Sequence, residues 1–210
     1  MSLHAQTANT GRKHAYFARN RAALLLSAQQ VLAERGGEAT IDDFAAAADM
    51  AVSTIYKHFE SRDALIQAAV ISAMDEWEAW MRGATASLTD PFEKLVLPLR
   101  LFIKMPKTHP VLAKVALNSP RAVSDVLPRL GAGFSANLSE LVASGHLVVE
   151  NLDARFAALS AIIRSAFEVS ASGWPTSEGP AREMLAVGLE LVGLNAAQVQ
   201  HLMSVDLPKV

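Results

Sequence analysis

At 210 residues and 51% hydrophobic content, the chain is long enough for one large or two small cores. A formal charge of -2 and the absence of cysteine exclude a uniformly basic nucleic-acid binder, a disulfide framework and a thiolate metal site, and fit a reducing cytoplasm. The longest apolar tract, LVLPLRLFI at 95–103, is interrupted by Pro98 and Arg100, so the sequence predicts neither a signal peptide nor a membrane span.

Charge is nevertheless distributed unevenly. Arg12, Lys13, Arg19 and Arg21 all precede Glu34, the first acid of the chain. Residues 1–18 read as a flexible basic arm, either reaching phosphates or a minor groove or standing free as a solvated tail. Leu24, Leu25, Ala28, Val31 and Leu32 fall on one face of a first helix that stops at Gly36-Gly37. Thr40, with Asp43 three residues on, has the spacing of a capping box and starts a second helix that buries Ile41, Phe44, Ala45 and Ala48. Asp49 falls at a turn where a left-handed backbone is needed, and Asp tolerates that better than most residues. A short third helix follows. It buries Ile55 and Phe59 and leaves Val52, Ser53, Thr54, Tyr56 and Lys57 outside. So small a helix offering hydroxyls and cations is built to face an anionic surface, and the segment 40–62 reads as a DNA-binding helix-turn-helix.

Ser61 caps a long fourth helix whose stripe Leu65, Ala69, Ala73, Trp77 and Met81 runs to about Gly83. Further starts are predicted at Asp90-Pro91, His109-Pro110 and Ser119-Pro120, with kinks or breaks at Pro98 and Pro128. Gly145 ends one helix, Asn151 starts the next, and Gly173-Trp174-Pro175 ends that one. A last long helix runs from near Pro180 to Gly193, and Asn195 to Gln198 cap a short terminal one. The sum is about ten helices, with only Leu147-Val148-Val149 reading as extended.

The string Ala48 to Phe59, followed by Ser61-Arg62-Asp63-Ala64-Leu65, resembles the amino-terminal domain of the tetracycline-repressor (TetR) family. Two positions depart from it: Asp49 stands where Gly is usual, and Ala51 where a Ser normally caps the third helix. The resemblance implies an all-α chain in which a three-helix helix-turn-helix domain, 19–60, is joined by a long helix to a larger effector-binding and dimerisation domain, 61–210. It implies phosphate contacts from Thr40, Lys57, His58 and Arg62. Val52, Ser53, Thr54 and Tyr56 would then face the major groove, where hydroxyls pair with several bases and Val52 meets a thymine methyl. Tyr56 has a second reading, as a lid over the three-helix core. Asp42 either accepts from a cytosine or only favours the helix dipole. The implied partners are a double-stranded inverted-repeat operator, a second copy of the chain and a small-molecule effector that releases DNA.

The small and aliphatic runs Ala157, Ala158, Ala161, Ile162 and Leu185, Ala186, Leu189, Val192, Gly193 suit close helix packing. By resemblance they form the homodimer through the last two long helices; otherwise they are buried within one chain. For the effector, Trp77, Met81, Phe102, Phe134 and Phe167 suit an irregular apolar ligand, and Arg100 or Arg164 an anionic group. The competing readings are that the rings are core, that Arg164 pairs with Glu168 and that Arg100 extends to solvent.

Other classes are poorly supported. Gly131-Ala132-Gly133-Phe134-Ser135-Ala136 matches a dinucleotide fingerprint, but no strand precedes it. The six histidines lack metal-ligand spacing, and no nucleophile elbow appears, so neither an enzyme nor a metal or cofactor is expected. The alternative kept is an all-helical protein-interaction module without sequence-specific DNA binding.

Overall fold

The computed structural model describes residues 3–172 and 179–207, with the side chains of 3–14 and 126–130 left aside. Among the described residues there are ten α-helices and no strand. They are α1 (Leu3–Arg35), α2 (Ile41–Ala47), α3 (Val52–His58), α4 (Arg62–Thr85), α5 (Pro91–Thr108), α6 (Pro110–Asn118), α7 (Pro120–Ala143), α8 (Leu152–Ser172), α9 (Gly179–Leu191) and α10 (Ala196–Ser204). The chain divides into two compact units, and the division falls inside α4, after Met74.

The first unit combines the residues through Met74 with Lys114–Val123. It is therefore larger than the expected 19–60. Its interior is made by the stripe predicted for α1, all buried, together with Phe44, Ile55, Phe59, Leu65, Ala69 and Ala73. Phe44, Leu24, Leu32 and Ile55 are wholly buried, and each such side chain contributes about 1.5–3 kcal/mol of hydrophobic stabilisation. Residues 3–18, expected as a flexible arm, instead form the first half of α1. Ala, Gln, Arg and Lys are good helix formers, and no proline interrupts this stretch.

Gly36 closes α1 in the left-handed region, φ +60°, and leads into a 3₁₀ turn over Gly36–Glu38. A Cβ there would lie 2.8 Å from the Asn118 carbonyl oxygen. The Asn118 side chain in turn donates to the Ala33 carbonyl at 3.0 Å. Glycine is thus required twice, for backbone angle and for closeness.

The second unit comprises Asp75–Ala113 and the residues from Ser124 onward. Its core gathers Leu95, Val96, Leu99 and Ile103 of α5, Leu138 and Leu141 of α7, Leu159 and Ala166 of α8, Leu185 and Leu189 of α9, and Val199, Leu202 and Met203 of α10. α8 and α9 approach closely because Gly188 has no side chain: a Cβ there would meet Leu159 Cδ1 at 2.6 Å. Asp90 caps α5 by accepting from the Phe92 and Glu93 amides, both at 2.9 Å. Asn195 and Gln198 form a reciprocal capping box on α10.

Pro98 and Pro128 each lie inside a continuous helix, so neither is a break. Pro98 has no N–H for the Lys94 carbonyl, one turn back. Asn137 Nδ2 of α7 donates to that carbonyl at 3.5 Å, so the orphaned acceptor is served from another helix. Leu147–Val149 links α7 to α8 without strand pairing. The expected stop at Gly173-Trp174-Pro175 lies outside the described residues.

Candidate nucleic-acid interface

α2, the turn and α3 are fixed by local chemistry. The Asp43 amide donates to Thr40 Oγ1 at 3.2 Å, and Asp43 Oδ2 accepts from the Thr40 amide and hydroxyl, both at 2.8 Å. Arg35 adds an ion pair to Asp43 at 2.9 Å. The Thr40 backbone bond, then its hydroxyl, hold the Asp43 carboxyl below its ordinary pKa. Asp49 has φ +50° and lies in the left-handed region. Its amide donates to Ala46 O at 3.3 Å, and the Met50 amide to Ala45 O at 3.0 Å, which is the pairing of a Schellman motif. Those two bonds hold an aspartate where glycine would be unstrained.

α3 begins at Ala51, which offers no side-chain cap. Ala51→Ser should therefore stabilise the unit by about 1 kcal/mol, seen as a raised Tm with tighter duplex binding. Ile55 is wholly buried and Phe59 nearly so, which sets the roll of the helix. Ser53, Tyr56 and Lys57 are then exposed on its outer side, and Val52 and Thr54 are half-buried at its edge. Tyr56 is 51% exposed, which disfavours its reading as a lid over the core. Asp42 is also exposed, at the first turn of α2.

The remaining phosphate candidates are engaged elsewhere. Thr40 is occupied by the capping box. Arg62 Nε donates to Ala39 O at 2.6 Å, Nη2 donates to Gly37 O, and Nη1 pairs with Asp63 at 2.9 Å. Its planar fork ties the start of α4 to the end of the 3₁₀ turn, a positioning role. Lys57→Ala should lower the salt dependence of duplex affinity by about one counterion, at little cost in stability. Arg62→Ala should instead lower stability by about 1.5–3 kcal/mol and leave the salt slope unchanged.

His58 stacks on Phe17 of α1, with ring centroids 4.0 Å apart. Its Nδ1 is buried with no hydrogen-bond partner among the described residues. Beside it, the Arg21 guanidinium lies 4.8 Å over the Phe59 ring. Burial, then the positive charges of Arg21 and Lys57, push the His58 pKa below its ordinary value. The fold selects the neutral ring while the unfolded chain takes up the proton, so this contribution to stability is intact above about pH 6.5 and declines as pH falls through that value. A His58→Gln chain should lose that part of the acid dependence, measured as Tm against pH. The dependence from His109, lowered in pKa by burial alone, would remain.

Phe17 and Arg21 had no place among the predicted site residues. Their signal was the stripe of α1 itself, since Phe17, Arg21, Leu24 and Ala28 continue one face at helical spacing.

The predicted effector residues form separate clusters in the second unit. Trp77 stacks on Trp80 at 4.8 Å and meets His109 edge-on at 5.1 Å. Phe102 stacks on the buried Phe167 at 4.8 Å, and Phe134 on Phe156 at 5.8 Å. Met81 is half-buried, and Arg164 is exposed. Arg100 neither extends to solvent nor stands unpaired: Nη1 donates to the Leu202 and Val205 carbonyls, both at 2.7 Å, closing the end of α10. Burial, then Arg182, lower its pKa, and Asp206 opposes them. On the surfaces expected to pair in a dimer, Ala157, Ala158 and Ala161 are exposed, whereas Leu185, Leu189 and Val192 belong to the core of one chain.

Residues 24–69, which hold the end of α1, the helix-turn-helix and the start of α4, match the family model described as bacterial regulatory proteins, tetR family. No curated protein matches the sequence. Among solved structures, RolR in complex with resorcinol is 22% identical, with a TM-score of 0.72, covering 93% of this chain and 98% of its own. A TetR-family regulator from Rhodococcus sp. is 14% identical, with a TM-score of 0.65, covering 89% of this chain and 100% of its own. The regulator FadR from Bacillus subtilis, in complex with stearoyl-CoA, is 18% identical, with a TM-score of 0.61, covering 87% and 97%. At these identities the structures establish a shared fold, and the match over residues 24–69 identifies the helix-turn-helix segment as that of the tetR family of bacterial regulatory proteins.

Proposed function

We propose that the chain is a transcriptional repressor that binds an inverted-repeat operator as a homodimer and leaves it when a small molecule binds the second unit. The observation that carries the DNA reading is the division of α3, with Ile55 wholly buried while Ser53, Tyr56 and Lys57 are exposed on the other side. Hydroxyls and one cation on a helix of this size match the needs of a major groove. No Arg, Asn or Gln projects from α3, so base discrimination leans on apolar contact and DNA shape.

A two-fold protein reads a two-fold site, and the exposed Ala157, Ala158 and Ala161 of α8 with Val187 of α9 supply a small-residue surface for a second copy. The effector part is supported by the fold relatives RolR and FadR, held with resorcinol and stearoyl-CoA respectively, two chemically unlike ligands. A regulator of this kind needs no catalysis, metal or membrane. Among the described residues no helix is long and apolar enough to cross one.

Selection of duplexes from a randomised pool by the full chain tests the reading. The expected result is enrichment of an inverted repeat that binds two chains with an affinity falling steeply as salt rises. Absence of any enriched repeat, with a well-folded chain, would contradict it and favour a protein-interaction module.

A further inference from the structure

Arg100, Lys104 and Arg182 line one small cleft of about 60 Å³ in the second unit, with Ser170 as its hydroxyl and no carboxylate in its wall among the described residues. From this we infer that the cleft, with the larger one beside it, is a binding site for an organic carboxylate with a short, largely apolar chain.

The two guanidiniums are held in place by backbone. Arg100 donates to the Leu202 and Val205 carbonyls, and Arg182 Nη2 donates to the Met203 carbonyl. A guanidinium has five N–H groups, so these bonds fix the two planes while leaving donors on each outside the described bonds. Both guanidiniums thus close the end of α10, and they lie near enough that Arg182 depresses the basicity of Arg100. Like charges brought together in a partly buried place repel, and an anion seated between them relieves this. Asp206 is the acid that acts on Arg100 here, and it is not part of the cleft wall.

Arg182 and Met203 are also walls of a second cleft, of about 250 Å³, between α9 and α10. Its other walls are Ala186, Ala196 and Val199, with Gln200 and Glu183 at polar positions. Together the two clefts reach the lower end of ordinary small-molecule sites, about 300 Å³. The smaller one holds an anionic group and little else, and the larger has apolar wall for a chain. Glu183 in the larger cleft disfavours a second negative charge there, which selects monoanions over dicarboxylates. None of the aromatic residues expected for the effector lines either cleft.

This site deepens the effector part of the proposed function and rests on that reading for any consequence at DNA; the binding itself does not. Calorimetry of the full chain with straight-chain monocarboxylates from acetate to octanoate, the matched alcohols and inorganic phosphate tests it. Affinity that rises with chain length, with no binding of the alcohols and at least tenfold weaker binding of phosphate, is expected. Ala186→Phe, which fills the larger cleft, should remove the chain-length dependence, and Lys104→Gln should weaken every carboxylate about tenfold. Circular dichroism of both variants confirms folding, and Lys104→Gln serves if Ala186→Phe does not fold. Absence of carboxylate binding, equal binding of phosphate, or unchanged chain-length dependence in folded Ala186→Phe would overturn the site. Duplex binding is scored on the same preparations. A chain that binds DNA and no carboxylate overturns the site alone, and one that binds carboxylates but no duplex supports the site while the regulator reading fails.

Discussion

Tyr56→Ala is expected to weaken binding to a duplex selected by the unsubstituted chain by about tenfold to a hundredfold, while stability changes by less than about 0.5 kcal/mol. The side chain is 51% exposed on the outer face of α3, so its removal leaves no cavity. Its ring and hydroxyl are the largest contact surface that helix offers. Tyr56→Phe separates the two: retained affinity assigns the contact to the ring, and a loss close to that of alanine assigns it to the hydroxyl. A well-folded alanine variant with unchanged affinity for the selected duplex would remove Tyr56 from the interface.

Gly36→Ala should be the most damaging single methyl in the first unit. A left-handed, non-glycine backbone costs on the order of 1–3 kcal/mol, and the added Cβ would sit 2.8 Å from the Asn118 carbonyl oxygen. Relief of that overlap has to move backbone, since the opposing atom is not the end of a flexible side chain. The adjoining 3₁₀ turn accepts the Arg62 bonds at Gly37 and Ala39, so the disturbance reaches the start of α4. Denaturant unfolding should show a loss of at least about 2 kcal/mol, with weakened DNA binding. Gly37→Ala is the control, because a Cβ there meets nothing within 4 Å.

What could be read from sequence was what is decided within a few residues. The Thr40/Asp43 and Asn195/Gln198 boxes, the Asp90 cap and the left-handed Asp49 follow from side chains bonding to backbone within three or four positions. The buried stripe of α1 and the anchoring of α3 by Ile55 follow from periodicity in the same way. What could not be read depended on distant partners. Pro98 reads as a kink or break until Asn137 is seen to serve the Lys94 carbonyl 43 residues away.

Arg62 and His58 stand at positions the family resemblance assigns to phosphate. A carbonyl has no sequence identity, so the bonds of Arg62 to residues 37 and 39 were invisible. The Phe17 ring beneath His58 lies in a stretch whose sequence reads as a flexible basic arm, which hides its role. The effector residues stand out by composition alone. Composition does not say which rings meet, and they pair off as Trp77 with Trp80, Phe102 with Phe167 and Phe134 with Phe156. Only Arg100 of that set lines a cleft described here, and it does so beside Arg182.

In the proposed complex α3 lies in a groove of duplex DNA with Ser53, Tyr56 and Lys57 toward the bases and phosphates. Backbone amide shifts of the labelled chain, followed as the selected duplex is added, measure it most directly. The largest changes should fall on Val52 to Lys57, with smaller ones along the basic half of α1. Saturable binding that leaves those residues unmoved and shifts residues of the second unit alone would contradict it.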